Sequence, residues 1–319
     1  MSKYTNTVLI TGGTINLGYH CALNIAKQRP DWQVVIASRT DPNSAAATIN
    51  RTLGQDNVLF MRLDLASLTN VRAFVGEWKK KSFPPIQVLL LNAGLQFPNE
   101  VLFSEDGIEK SLAITHVGHA LLFHLLVKHL TKNARIIVTS SGTHDPAQKS
   151  GMPHPNWTTA EAVAHPPKDE ELEGEGRTRY TRSKLANVLW MYALDRRISS
   201  GRTVAAFDPG LMPGSGLARE YSPLFRFLWN HIMPAMLPLI RLVFGSSNVL
   251  TPAASAANLT KVALDPYLDG VSGVYYSEGK QIKTSVESYD EEKQEDLWRW
   301  TVENIAKSIE EKERFNKLE

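Results

Sequence analysis

The sequence predicts an α/β fold: one domain over residues 1–319, built on a doubly wound, mainly parallel sheet. Three observations predict it. Strand-length apolar runs alternate with helical stretches from residue 7 onward. Most of those runs are continuous rather than alternating, so both faces of each strand are buried and helices must cover both. No internal repeat or break in composition starts a second core.

TVLITGG at 7–13 is the first strand, running into a glycine turn, and residues 18–29 carry apolar positions at helical spacing. QVVIASR at 33–39 is the second strand and NVLFMRLDL at 57–65 the third. A helix follows over 67–80, with Val71, Phe74 and Trp78 on one side. IQVLLLNAG at 86–94 is the fourth strand, 108–130 a long helix, and ARIIVTSS at 134–141 the fifth strand. A second long helix covers 180–198, RTVAAFDPG at 202–210 is the sixth strand, and GVYYSEG at 273–279 a short late one. The stretch 287–317, with Trp298, Trp300 and many Glu and Lys, reads as one amphipathic helix. Crossovers between parallel strands are right-handed, which winds the sheet both ways and places ligands beyond the C-terminal strand ends.

Two segments leave this rhythm. Residues 142–179 are rich in Pro, Gly and charge with little periodicity, and read as an excursion over the site. Residues 211–244 contain the most apolar stretch, YSPLFRFLWNHIMPAMLPLIRLVF. Arg226, Asn230, His231 and Arg241 interrupt it, and Pro223, Pro234 and Pro238 lie inside it. That argues against a transmembrane span, which needs about 20 mainly apolar residues. The segment reads as a substrate lid, a partner surface or a peripheral membrane contact.

A net charge of +2, from 35 Lys and Arg against 33 Asp and Glu, argues against a broad nucleic-acid footprint. Cys21 is the single cysteine, so no intrachain disulfide and no thiolate metal cluster can form. The apolar run VLI near the N-terminus is too short for a secretory signal, and a cytoplasmic location is expected.

TGGTINLG joins the first strand to the first helix and supplies Thr11, Gly12, Gly13, Asn16, Leu17 and Gly18. Glycines there let backbone approach a pyrophosphate, and the helix N-terminus offers N–H donors. Ser38 and Arg39 end the second strand, where a carboxylate would instead bind the ribose hydroxyls. A hydroxyl and a forked guanidinium suit a 2′-phosphate, so NADP(H) is the expected cofactor; Asp41, if turned to the ribose, weakens that preference. Asp64 and Leu65 end the third strand, where Asp64 can accept from the adenine amino group. Asn92, Ala93 and Gly94 close the fourth strand, where small side chains can lie against adenosine.

Ser141 ends the fifth strand, and Tyr180 and Lys184 stand one turn apart on the next helix, on a shared face. Carbonyl reduction needs hydride on carbon and a proton on oxygen. A phenol with a reference pKa near ~10 parts with its proton reluctantly at pH 7. The Lys184 ammonium is expected to lower that pKa and to bond the nicotinamide ribose. Tyr180 is then the proton donor, and Ser141 holds the substrate oxygen. Trp157, Leu224, Phe225, Phe227, Leu228 and Trp229 are expected in the pocket walls, favouring a lipophilic or aromatic small-molecule substrate. His116, His119, His124 and His129 read as core residues rather than metal ligands. Arg177, Arg179 and Arg182 read as a solvated face, His144 and His154 as excursion residues within reach of the substrate but assigned no role, and Asp208 as a neighbour of the site.

Together these features resemble the short-chain dehydrogenase/reductase family, whose fold is Rossmann-type. The resemblance rests on TGGTINLG, NAG at 92–94, Ser141, the Tyr180–Lys184 pair, and Pro209–Gly210, which looks like the family's Pro-Gly beside the nicotinamide. It extends over about residues 5–285. Within the family the chain is similar to light-dependent protochlorophyllide reductases and retinol-dehydrogenase-like relatives, through ITHVGHALLFHLL at 114–126, LMPGSGLAREYSPLFRFLW at 211–229 and VALDPYLDGVSGVYYSEGK at 262–280. The resemblance implies NADP(H)-linked chemistry on lipophilic carbonyls, alcohols or activated double bonds.

Four departures qualify it. Asn16 stands at the family's second glycine, and Thr115 replaces an Asn that helps hold a water relay below the Lys; Thr115 is the corresponding catalytic candidate. Gly214 and Ser215 occupy the place of a Thr-Thr pair, leaving Ser215 to make the cofactor contact. The protochlorophyllide enzymes carry a cysteine before the catalytic Tyr, whereas Cys21 lies in the first helix, so light-driven pigment reduction is not expected. The leading expectation is a ketoreductase for a bulky, apolar or aromatic substrate. A double-bond reductase or non-redox biosynthetic enzyme is the alternative, and a homo-oligomer is compatible with either.

Overall fold

The computed structural model describes residues 2–166, 175–244 and 248–318, with the side chains of Glu175 and Phe244 outside that description. Residues 167–174 of the expected excursion also fall outside it.

The strands are β1 (Asn6–Thr11), β2 (Trp32–Ser38), β3 (Val58–Arg62), β4 (Ile86–Leu91), β5 (Leu130–Thr139), β6 (Thr203–Asp208), β7 (Val274–Ser277) and β8 (Lys280–Ile282). They form one sheet in the order β3-β2-β1-β4-β5-β6-β7-β8. All neighbours are parallel except β7 and β8, which form an antiparallel hairpin. Leu9 pairs in register with Val35 on one side and Leu89 on the other, and all three are fully buried.

The continuous apolar runs have the predicted cause. Val8 and Ile10 face one core, and Leu9 faces the other. α1 (Asn16–Gln28), α2 (Ala45–Leu53) and a later helix, Pro252–Leu264, cover the first face. α3 (Leu68–Lys80), α4 (Gly118–Leu126) and α5 (Glu175–Asp195) cover the second, together with the C-terminal helices.

Several sequence expectations need correction. The helix over 108–130 is interrupted by a π-helical turn at Ala113–Val117, and its last residue already begins β5. The run Lys110–His129 is long and apolar enough to cross a bilayer, but 89% of it is buried inside the protein. The C-terminal stretch is two helices, Glu291–Ile305 and Ile309–Lys317. Ser308 caps the second by accepting from the Glu311 N–H, while Arg72 binds both Glu311 and the Ile305 carbonyl. α2 and the helix Pro252–Leu264 were not read from sequence. The latter begins with a Thr251 cap and Pro252, but its many Ala residues blur the apolar stripe.

Of the three arginines before Lys184 only Arg177 is exposed, and all three bind backbone carbonyls. Arg177 donates to the Gly151 carbonyl at 2.6 Å, Arg182 to Pro155 at 2.8 Å, and Arg179 to Asn99 at 2.8 Å. Arg179 is buried and lies 3.9 Å from the equally buried Glu109. They tie the excursion and the loop after β4 to the start of α5.

Candidate active site

The chain leaves β1 in one direction along the sheet and β4 in the other. This reversal leaves a crevice beyond the C-terminal strand ends. A cavity of about 810 Å³ opens there. One end is lined by Gly12, Asn16, Leu17, Gly18, Ser38, Arg39, Asp64, Leu65, Asn92, Ala93 and Gly94, residues that the sequence assigns to the cofactor.

The local backbone explains the turn. Asn16 takes a left-handed φ of 50°, so it does the conformational work of the expected glycine. A Cβ on Gly18 would sit 2.3 Å from the Gly12 carbonyl oxygen, so α1 closes onto the turn only with glycine there. No side chain caps α1 at Ile15, which leaves its first N–H groups for a ligand. Asp41 accepts from the Ala45 N–H at 2.7 Å, so one carboxylate oxygen is spent on the start of α2.

Two predicted cofactor residues are structural instead. Thr11 is fully buried, and its hydroxyl oxygen accepts from the Asn92 and Ala93 N–H groups at 2.8 and 3.0 Å. The same hydroxyl pairs with His119 Nε2 at 2.8 Å. Gly13 packs on β2, where a Cβ would meet Ile36 at 2.7 Å. Neither residue lines the cavity.

At the chemical end Ser141, Tyr180, Lys184, Pro209, Gly210 and Ser215 line the same cavity. Ser140 Oγ donates to the Lys184 carbonyl at 2.8 Å and Asn187 Nδ2 to the Thr139 carbonyl at 3.0 Å, which fixes α5 against β5. Lys184 Nζ donates to the Thr139 carbonyl at 3.2 Å and lies 5.5 Å from the Tyr180 ring centre. Ser141 lies close enough to the Tyr180 phenol to draw its pKa down.

The electrostatics differ from the sequence expectation. Burial pushes the Tyr180 pKa up, the Asp208 and Tyr221 charges add to it, and only Ser141 opposes. Burial also draws Lys184 down to about 8, against the pull of Asp208. Desolvation governs here, so the phenol stays protonated, the state from which it can donate.

Thr115 is also corrected. Its hydroxyl donates to the Ser111 carbonyl at 2.6 Å, its own carbonyl accepts from His119 Nδ1 at 2.9 Å, and it does not line the cavity. With its hydroxyl proton given to the helix, Thr115 is left as an acceptor only, set back from the cavity that Lys184 lines. His116 bonds Thr301 Oγ1 at 2.8 Å. His116, His119 and His124 are all buried, with pKa values held down to about 3, 4 and 3. Among the described residues no group of His, Cys, Asp and Glu could hold a metal ion.

One wall of the cavity is aromatic. Tyr221, Phe225 and Trp229 stack at i, i+4 and i+8, with ring centres 4.7 and 6.0 Å apart, and all three line the cavity. Trp229 Nε1 donates to the Ser215 carbonyl at 2.8 Å, tying this wall to the turn beside the cofactor residues. Trp157 lies in the core instead, and Leu224, Phe227 and Leu228 point outward, 70, 55 and 40% exposed. Tyr221 was missed, although its spacing to Phe225 is a helical signal.

His144 is not a substrate contact. Nδ1 donates to the Ser141 carbonyl at 2.7 Å, and Nε2 accepts from the Ser285 N–H at 3.2 Å, which holds the Ser141 backbone in place. Asp208 lines the cavity and accepts from Asn248 Nδ2 at 2.7 Å and Ser277 Oγ at 3.2 Å.

A short chain dehydrogenase family model matches residues 6–153. A polyprenol dehydrogenase of Danio rerio is 31% identical over 306 residues, covering 91% of this chain and 84% of that one. A chloroplastic protochlorophyllide reductase of Pisum sativum is 31% identical over 313 residues, covering 91% of this chain and 75% of that one. Among solved structures, levodione reductase superposes with a TM-score of 0.61 at 18% identity, covering 86% of this chain and 98% of that one. An NADPH-bound carbonyl reductase from chicken fatty liver gives a TM-score of 0.61 at 14% identity, covering 88% and 99%.

Proposed function

Because this chain belongs to the short-chain dehydrogenase family and is an NAD(P)-dependent oxidoreductase, we propose that it is an NADP(H)-dependent ketoreductase for a bulky, apolar or aromatic small molecule. The observation that carries this reading is the meeting of Ser141, Tyr180 and Lys184 with the Tyr221–Phe225–Trp229 stack in one cavity. Relatives named for polyprenol and protochlorophyllide support a large apolar substrate.

The residues fit a nicotinamide cofactor. Close backbone approach at Gly12 and Gly18, the uncapped start of α1, and Arg39 with Asp41 turned to α2 favour a phosphorylated dinucleotide. When bound, that group supplies or accepts the hydride. Ser141 orients the substrate oxygen by hydrogen bonding. Tyr180 holds its proton until negative charge develops on that oxygen and then donates it. Lys184 places a positive charge beside the phenolate that results.

Purified protein with NADPH and a panel of aromatic ketones should oxidise the cofactor, and Tyr180→Phe should lose roughly 10²–10⁴-fold in kcat/KM with NADPH binding retained. Bound NADPH without turnover across the panel sinks the reading. Enone reduction at carbon that survives Tyr180→Phe moves the assignment to double-bond reduction.

The outward lid face supports a peripheral contact with an anionic lipid surface. Leu224, Phe227, Leu242 and Val243 are exposed, Arg226 and Arg241 lie among them, and residues 221–243 hold no acidic side chain.

A further inference from the structure

The glycine turn from Gly12 to Gly18 carries no charged side chain, so positive charge for a phosphate must come from elsewhere. Arg39 supplies one guanidinium from the end of β2. A second comes from the opposite side. The 3-10 turn Gly216–Glu220, at the start of the lid, sits directly against the glycine turn. The point where a Gly216 Cβ would lie is 3.1 Å from Arg219 Nη2, 3.3 Å from Ile15 Cδ1 and 3.4 Å from Asn16 Nδ2. Arg219 Nε donates to the Gly216 carbonyl at 2.9 Å, which orients the guanidinium. Arg39 and Arg219 line the same cavity. Among the described residues neither makes a salt bridge.

We propose that Arg219 is a cofactor-specificity residue: with Arg39 it holds the 2′-phosphate of NADP(H), one guanidinium from the sheet and one from the lid. This rests on the NADP(H) reading above. Two guanidinium groups facing one cavity repel each other, and a dianion between them replaces that repulsion with two charge-assisted contacts. The electrostatics agree. Burial draws Arg219 below its ordinary range, the Arg39 charge draws it further, and the neighbouring Glu220 opposes both.

Fluorescence titration with NADPH and NADH tests the assignment on the wild type, Arg39→Gln, Arg219→Gln and Arg219→Lys. The wild type should prefer NADPH. Arg219→Gln should lose roughly ten- to a hundredfold in NADPH affinity with NADH affinity unchanged, and Arg219→Lys should recover much of the loss. An NADPH preference lost in Arg39→Gln but kept in full by Arg219→Gln overturns the proposal and leaves the NADP(H) reading standing. Equal loss of both nucleotides in Arg219→Gln overturns it too, because Arg219 then serves the pyrophosphate common to both, or the shape of the cavity, rather than the 2′-phosphate. Equal wild-type affinity for the two nucleotides overturns the NADP(H) reading itself.

Discussion

Lys184 Nζ lies 5.5 Å from the centre of the Tyr180 ring and gives a hydrogen bond to the Thr139 carbonyl. The two side chains share a helix face, yet burial governs the titration of both. The ammonium is weakened to about 8, and the phenol is strengthened in its neutral form. Two groups with opposed needs are thereby poised to exchange charge only when a substrate oxygen supplies the demand.

The Lys184 value sets a pH limit. Lys184 is charged below about 8 and neutral above it, so kcat/KM should fall along an alkaline limb near that pH. A Lys184→Met variant should be slower throughout and lack that limb. Initial-rate profiles from pH 6 to pH 10 decide it, and an unchanged limb in the variant removes Lys184 from the mechanism.

The aromatic stack predicts size selectivity. Trp229→Ala removes the end of the stack and its bond to Ser215. KM for a bulky aromatic ketone should rise roughly tenfold, while a small aliphatic ketone is little affected. Equal losses for both substrates would show that the ring supports the lid rather than the substrate.

The buried histidines predict acid sensitivity. His116, His119 and His124 titrate near 6.5 when unfolded but are held down to about 3, 4 and 3 in the fold. The unfolded chain binds protons that the folded chain refuses. Stability is therefore intact above pH 6.5 and declines as pH falls toward 4, by about 1.4 kcal/mol per pH unit for each ring. His124 stacks on Phe315 at 4.7 Å, and neither of its nitrogens has a hydrogen-bond partner among the described residues. His124→Leu should gain about 1 kcal/mol at neutral pH and shallow the acid slope. Thermal melts at pH 7 and pH 5 measure both, and an unchanged slope counts against the assignment.

The lid face predicts salt-sensitive lipid binding. The protein should sediment with vesicles containing phosphatidylserine and less with neutral ones, and a Leu242→Asp, Val243→Asp variant should remain in solution. Equal sedimentation of variant and wild type places the contact elsewhere.

The sheet was legible because parallel strands buried on both faces leave unbroken apolar runs; Gly12, Arg39 and Ser141 follow such runs directly, and Tyr180 and Lys184 share one face of the next long helix. Gly12, Asn16, Arg39, Ser141, Tyr180 and Lys184 fall where strand ends must converge. What was not legible depends on side-chain direction. Thr11 and Gly13 sit in the same motif as Gly12, yet one points into the hydrogen-bond network under β4 and the other against Ile36. Trp157 and Phe225 are equally apolar, and only the packing of the excursion and the period of the lid helix send one to the core and the other to the cavity. The arginines at 177, 179 and 182 look solvated in sequence because their carbonyl partners are distant along the chain. The π-helical turn that engages Thr115 leaves no compositional trace.

The turn bearing Arg219 and the rings from Tyr221 to Trp229 belong to one continuous stretch, joined again by the Trp229–Ser215 bond. A shift of the turn on nucleotide binding would therefore carry the rings with it. Product-inhibition kinetics should then show the coenzyme binding first and leaving last, and a random order would show that the two ends of the cavity fill independently.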